Sequence, residues 1–250
     1  MQLFPHFLFF RLQKPTIIFQ KVPRIGVFAL FLLPLVAWAQ DVHFSQYYNT
    51  PNYTNVALIG LYNGNAYQRA GLAYRNQWAS VPVSYTSATL AFDQQIRLKK
   101  IKKNSLGIGL LLLHDEAGDS RMGLTELGLQ AAYHQAIAPN QWVSVGAQFG
   151  AAQRRYQLQK LTFDNQFNGD AFDPQLGSRE NIPSSDFLFL DLGASVGYSW
   201  FYNPHTSVEA NIGINHLDEP QQSFFNEKAV RLPRRYNFSL RTQFPLADRL

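Results

Sequence analysis

The sequence predicts an all-β chain folded as an antiparallel, up-and-down transmembrane β-barrel. Three observations carry that expectation. Apolar and polar residues alternate with period two in segment after segment. The connections between those segments alternate in length, and aromatic residues gather at the segment ends. Successive side chains of a strand point to opposite faces, so period two marks a strand with one apolar and one polar face.

Eight strands are expected, near residues 66–78, 84–98, 105–114, 126–134, 143–149, 190–200, 208–215 and 236–243. The clearest run places Leu190, Leu192, Ala194, Val196, Tyr198 and Trp200 against Asp191, Gly193, Ser195, Gly197 and Ser199. Residues 208–215 set Val208, Ala210, Ile212 and Ile214 against Glu209, Asn211, Gly213 and Asn215. In a soluble sandwich the apolar face points inward, whereas in a membrane barrel it meets lipid and the polar face lines the lumen. Strand length favours the barrel, because a tilted membrane strand needs about 9–11 residues. Tyr74, Trp78, Trp142, Phe149, Tyr198, Trp200 and Tyr236 are the expected aromatic girdles. In an up-and-down order, connections near 99–104, 135–141 and 203–205 share one end. Those near 79–83, 115–122, 159–186 and 217–234 share the other. Membrane barrels of this kind have short periplasmic turns and longer outer loops. Residues 159–186 are thereby expected outside the cell and Lys99, Lys100, Lys102 and Lys103 on a periplasmic turn.

The compartment follows from the start of the chain. Lys21 and Arg24 precede an uncharged apolar run from Ile25 to Ala37, and Ala37-Trp38-Ala39 closes it. A basic flank, a short apolar stretch and a small-x-small site form a secretory signal peptide, read here as residues 1–39, with 1–20 as an over-extended start. The run is short of the ~20 residues of a spanning helix, and Pro34 interrupts it. Residues 40–65 are expected as an N-terminal periplasmic segment and 66–250 as the barrel strands. The leader also explains the charge. The whole chain is +5, but Arg11, Lys14, Lys21 and Arg24 belong to the leader, which has no acids, and the remainder holds 18 bases and 17 acids. No basic excess is left for a nucleic-acid partner. The absence of cysteine excludes disulfides, thiolate metal sites, thiol nucleophiles and a lipidated N-terminal Cys.

Several short stretches carry a resemblance. Asp41-Val-His-Phe-Ser-Gln-Tyr47 contains Phe44, Ser45, Gln46 and Tyr47. Tyr74-Arg75-Asn76-Gln77-Trp78 follows. A later stretch, Leu161 to Gly169, contains Phe163, Asp164, Gln166 and Phe167 and leads to Phe172-Asp173-Pro174. His216-Leu-x-x-Pro220, Ser223-Phe224 and Leu232-Pro-Arg-Arg-Tyr236 come last. In this order, over residues 41–244, they resemble the PorP/SprF family. The resemblance implies a non-catalytic outer-membrane barrel of type IX secretion and gliding motility. It implies work with periplasmic secretion-system lipoproteins or a peptidoglycan-binding protein, and export or anchoring of a surface adhesin. A passive, porin-like channel is the alternative. Two departures stand out. Asn55-Val56-Ala57-Leu58-Ile59-Gly60 replaces the family's Asn-Pro-Ala-Tyr-x-Gly, and the chain stops at Leu250 where family barrels continue. A membrane barrel cannot leave an edge unpaired in lipid, so a barrel incomplete at its C-terminus is expected.

No catalytic, cofactor or metal residues are expected. None of the six His forms a close ligand pair, and there is no Gly-x-Ser-x-Gly or phosphate loop. His114-Asp115-Glu116 reads as a solvated strand end and His134 as a lumen residue. Asp164 to Asp170 loosely resembles the start of a calcium loop, but Gln175 stands where the bidentate Glu belongs. Asn, Asp and Gly used for turns account for it more simply. The four lysines are candidate contacts for an acidic periplasmic partner.

Overall fold

The computed structural model describes residues 42, 44, 50–80, 84–97, 104–180, 185–225 and 230–245. The expected signal peptide, Ser45, Gln46, Tyr47 and the four lysines at 99–103 lie outside the described residues.

All eight strands form. They are β1 (Gln68–Gln77), β2 (Tyr85–Arg97), β3 (Ser105–Ala117), β4 (Met122–Ala138), β5 (Gln141–Arg155), β6 (Asp186–Asn203), β7 (Thr206–Asn215) and β8 (Arg235–Gln243). Each pairs antiparallel with the next, giving one eight-stranded sheet in sequence order, curled into a half-barrel. Among the described residues, β1 pairs only with β2 and β8 only with β7. The connections divide as expected. Two-residue turns join β4 to β5 and β6 to β7, while the described parts of residues 156–185 and 216–234 extend from the opposite end. β4, β5 and β6 run well beyond the expected limits, to 17, 15 and 18 residues. Their added ends include Thr125 and Gln153-Arg154-Arg155, where no apolar face is kept. A strand that continues past the lipid into water loses the alternation that reveals it.

The register sorts the two faces. One cross-strand row reads Phe92, Leu110, Leu129, Phe149 and Leu192, and all five are exposed. Leu72, Leu188 and Phe238 stand out even further, at 76%, 76% and 74% exposure. A continuous apolar face of this extent belongs against lipid. The other face buries Asp93, Glu126, Gln130, His134, Ser144, Gln148, Asp191 and Ser195. Tyr74, Trp78, Trp200 and Tyr236 are exposed, and Trp78 meets Tyr85 edge-on at 5.1 Å. Two expected girdle residues sit elsewhere. Trp142 shares the inward parity of Ser144 and packs 5.4 Å from buried Phe201. Phe149 lies mid-strand, because β5 continues to Arg155.

The inner face is not empty. A second inward row reads Gly107, Ala132, Gly146, Ser195 and Gly213, small residues on five consecutive strands. Across it lies the segment before β1. It contains α1 (Pro51–Thr54), where Pro51 at the first turn suits a helix start, and a 3₁₀ turn at Val56–Leu58. A Cβ on Gly146 would stand 2.7 Å from the Val56 carbonyl carbon and 2.8 Å from the Ala57 nitrogen. At Gly107 a Cβ would overlap the Ile59 carbonyl oxygen. These glycines are spaces that admit another backbone. Gly146→Val is therefore expected to destabilise by about 3 kcal/mol or more, since strain of overpacking adds to backbone overlap. Gly177→Ala, in open space, is expected to be neutral. Urea midpoints in detergent compare the two.

Candidate functional site: a plugged lumen between two mouths

The segment at residues 50–63 is fixed by hydrogen bonds from β1, β2, β4 and β6. On β2, Asp93 is 1% exposed and gathers the strongest contacts. Arg69 of β1 grips it through Nε at 2.9 Å and Nη2 at 3.0 Å. The Gly60 amide donates to its Oδ2 at 2.8 Å and the Tyr62 hydroxyl at 2.7 Å. Arg69 also reaches the Leu58 carbonyl at 3.3 Å and the Asn52 side chain at 3.4 Å. A buried carboxylate is tolerated only when paired and hydrogen-bonded, and here the pairing ties sheet to plug.

Other strands complete the seat. The Ala57 amide donates to Ser195 Oγ on β6 at 2.7 Å. Gln130 Nε2 on β4 donates to the Asn52 carbonyl at 2.8 Å and to Gln148 Oε1 at 2.6 Å, and Gln148 continues to Glu126 at 2.9 Å. His134 is fully buried, with Nε2 2.8 Å from the Ile59 carbonyl and Nδ1 2.7 Å from Ser144 Oγ. A carbonyl can only accept, so Nε2 carries the proton and Nδ1 accepts from Ser144. This Ser–His contact is sealed beneath Ile59 and serves as a strap. Apolar contacts finish the packing, with Ile59 and Val56 on Ala132, and Phe44 and Tyr53 on Ala91, Leu111 and Leu113.

At the short-turn mouth an open cleft of about 590 Å³ is lined by Gln95, Arg97, Asn104, Ser105 and Trp142 among others. Asn104 holds it by donating to Tyr133 and Gln135 and accepting from the Ala136 amide. The Arg97 guanidinium lies 4.4 Å over the Tyr67 ring.

At the opposite mouth the sequence-singled stretches find their places. Arg75 bonds Gln77 at the inward side of the β1 end, while Tyr74, Asn76 and Trp78 face out. The loop at 161–178 is organised around Gln166. Its side chain accepts from the Phe163 amide at 3.0 Å and donates to the Leu176 carbonyl at 3.2 Å, and its own carbonyl accepts from Asp173 at 2.8 Å. Phe167 bridges to Phe172, and both rings are exposed, as is the Asp164 side chain. His216, at φ 57°, pairs with buried Asp191 at 2.9 Å. Leu217 then bonds the β6 edge at Leu192, and Phe224 packs 4.8 Å from Phe187 and 4.6 Å from Tyr156. Those contacts account for the two later sequence words by packing. Phe44, one of two described residues in its word with Val42, packs edge-on at 5.9 Å against Tyr53. Among the described residues no cluster of His, Asp or Glu could hold a metal ion. His114 bonds Thr125 at 2.9 Å.

A strongly amphipathic sheet, the stretches that pack its mouths and a filled lumen are the features to compare with known proteins. A family model described as type IX secretion system membrane protein PorP/SprF matches residues 36–249. The chain belongs to this family. No curated protein and no solved structure matches it. The PorP/SprF chain is thus a membrane component of type IX secretion. Among its described residues no helix is long and apolar enough to cross a membrane.

Sequence reasoning missed Asp93, Arg69 and the segment at 50–62. The available signal was the pair of glycines at 107 and 146 at matching heights on nearby strands, which only the register reveals. Asp93→Ala leaves Arg69, 29% exposed, facing the plug without its partner. The expected cost is about 3 kcal/mol, near the lower end for a broken buried pair. Replacing both residues, as in Arg69→Met with Asp93→Leu, is expected to restore part of it. Denaturant unfolding in detergent reads both.

Proposed function

We propose that this PorP/SprF protein is a non-catalytic outer-membrane anchor whose two ends, and not its lumen, do the work. The carrying observation is the plug, with Gly60 and Tyr62 bonded to Asp93, Ala57 bonded to Ser195 and Ile59 bonded to His134. A lumen filled with hydrogen-bonded backbone supports docking and speaks against a passive channel.

The short-turn end is taken as periplasmic. Lys99, Lys100, Lys102 and Lys103, with Arg97 beside them in sequence, suit an acidic face of a secretion-system lipoprotein or a peptidoglycan-binding protein. The long-loop end is taken as the outer face. There the loop around Gln166 presents Phe167 and Phe172 in a conformation already fixed by its own hydrogen bonds, which lowers the ordering cost of holding an exported surface adhesin. Phe44 and the Tyr74–Trp78 stretch lie toward the same end and are proposed to support that surface.

The test is co-purification from outer membranes in mild detergent. The parent is expected to bring down periplasmic secretion lipoproteins and an exported surface protein. Reversing the four lysines to Glu is expected to reduce the lipoproteins by about tenfold or more, since like charges across an interface cost several kcal/mol. The surface protein is expected to remain. Recovery of neither class with the parent, together with conductance of the purified protein in planar bilayers, would contradict the anchor and favour the channel.

A further inference from the structure

We propose that the described part of residues 42–63 crosses the lumen from the long-loop mouth to the short-turn mouth, so that Val42 and Phe44 lie on the same face as the long loops. The lower end of the crossing is fixed first. Asn63 Nδ2 donates to the carbonyls of Asn203 at 3.1 Å and Pro204 at 3.3 Å, in the two-residue β6–β7 turn. Gly60 packs on Gly107, near the start of β3, and the Ile59 carbonyl meets His134, close to the short-turn end of β4.

The middle of the crossing lies at mid-strand positions. Ala57 bonds Ser195, well inside β6, and the Asn52 carbonyl meets Gln130 at the centre of β4. The upper end follows from Tyr53. Its ring packs with Phe44 against Leu111 and Leu113, and partly buried Ala73 and Leu124 border them. Leu124 lies just beyond the 118–121 turn, at the long-loop end of β4. The Tyr53 hydroxyl donates to the Val42 carbonyl at 2.6 Å and accepts from Arg235 Nη1 at 2.9 Å. Arg235 is the first residue of β8, directly after the long connection at 216–234, and its guanidinium stacks 4.9 Å over the Tyr53 ring. From Val42 to Asn63 the partners therefore run overall from the long-loop end to the short-turn end, with Gly60 and Tyr62 reaching back to Asp93, level with Gln130 in the register.

The crossing bears on the outer surface. The chain turns directly into β1 at the short-turn end, where Gln68 pairs with Gln94. Val42 and Phe44 then share one face with the 161–178 loop and residues 216–225, and a partner held there meets all three.

That this face is the cell surface rests on the sidedness given under Proposed function; the crossing itself does not. The chain has no cysteine, so single substitutions report sidedness without background. The full-length protein is made with Asp41→Cys, Asp170→Cys or His205→Cys and treated with a membrane-impermeant maleimide, on intact cells and after outer-membrane permeabilisation. Labelling of Asp41→Cys and Asp170→Cys in intact cells is expected, with His205→Cys labelled only after permeabilisation. Asp41→Cys following His205→Cys while Asp170→Cys labels outside would overturn the crossing. Asp41→Cys and Asp170→Cys both protected while His205→Cys labels outside would keep the crossing and refute the sidedness. If the Asp41→Cys thiol reacts in neither condition, a flexible epitope inserted after Gln40 and probed with antibody decides by the same pattern.

Discussion

The fold depends on one packing constraint: the polar face of the curled sheet must be filled, and the chain fills it with its own backbone. The row of Gly107, Ala132, Gly146, Ser195 and Gly213 keeps the lumen wall low across five strands. Only with side chains this small can residues 55–60 lie against it. A backbone in a lumen brings polar groups with it, and buried amides and carbonyls need partners. The sheet supplies them side by side with the small residues, through Ser195, Gln130, His134 and Asp93. Space and hydrogen bonding are thus met by the same inner face.

Asp93 is where this arrangement concentrates its electrostatics. A lone carboxylate in that position would be costly, and a lone Arg69 would leave a cation facing buried amides. Together they pull β1, β2 and the end of the plug into one cluster, and the Tyr62 hydroxyl completes it by donating to Asp93. Stability of the sheet and closure of the lumen are then coupled. Loosening the plug weakens the wall, and weakening the wall releases the plug. Such coupling suits the proposed anchor, because the sheet between its two ends stays fixed.

The strands were legible because lipid on one side and a polar lumen on the other impose strict alternation. Leu190 to Trp200 shows it in sequence and keeps it in the structure. The alternation fades in β5 beyond Phe149, where Gln153, Arg154 and Arg155 keep no apolar face, and it is hidden in β6 before Leu190, where Phe187, Leu188 and Phe189 are apolar on both faces. Trp142 sits near a strand end, as a girdle residue would, but its parity with Ser144 turns it inward onto Phe201. The Gly and Ser content of the inner face was visible, but not its cause. Gly107 and Gly146 lie far apart in sequence, and only pairing places them on one row beneath Ile59 and Val56. Residues 50–61 show no period of their own, since they conform to the wall. The stretches at 74–78, 161–178 and 216–224 were recognisable as words. Their contacts, such as His216 with Asp191 or Gln166 with Phe163, required the fold.

Hydrogen exchange of the plug amides in the membrane-embedded protein tests the central claim most directly. Ala57 and Gly60 donate to Ser195 and Asp93 inside the wall, so a peptide spanning 50–62 should exchange as slowly as the central strands, with Asp93→Ala accelerating it. Exchange of that peptide at the rate of an unstructured chain, with the strands protected, would contradict a lumen filled and held by its own N-terminal segment.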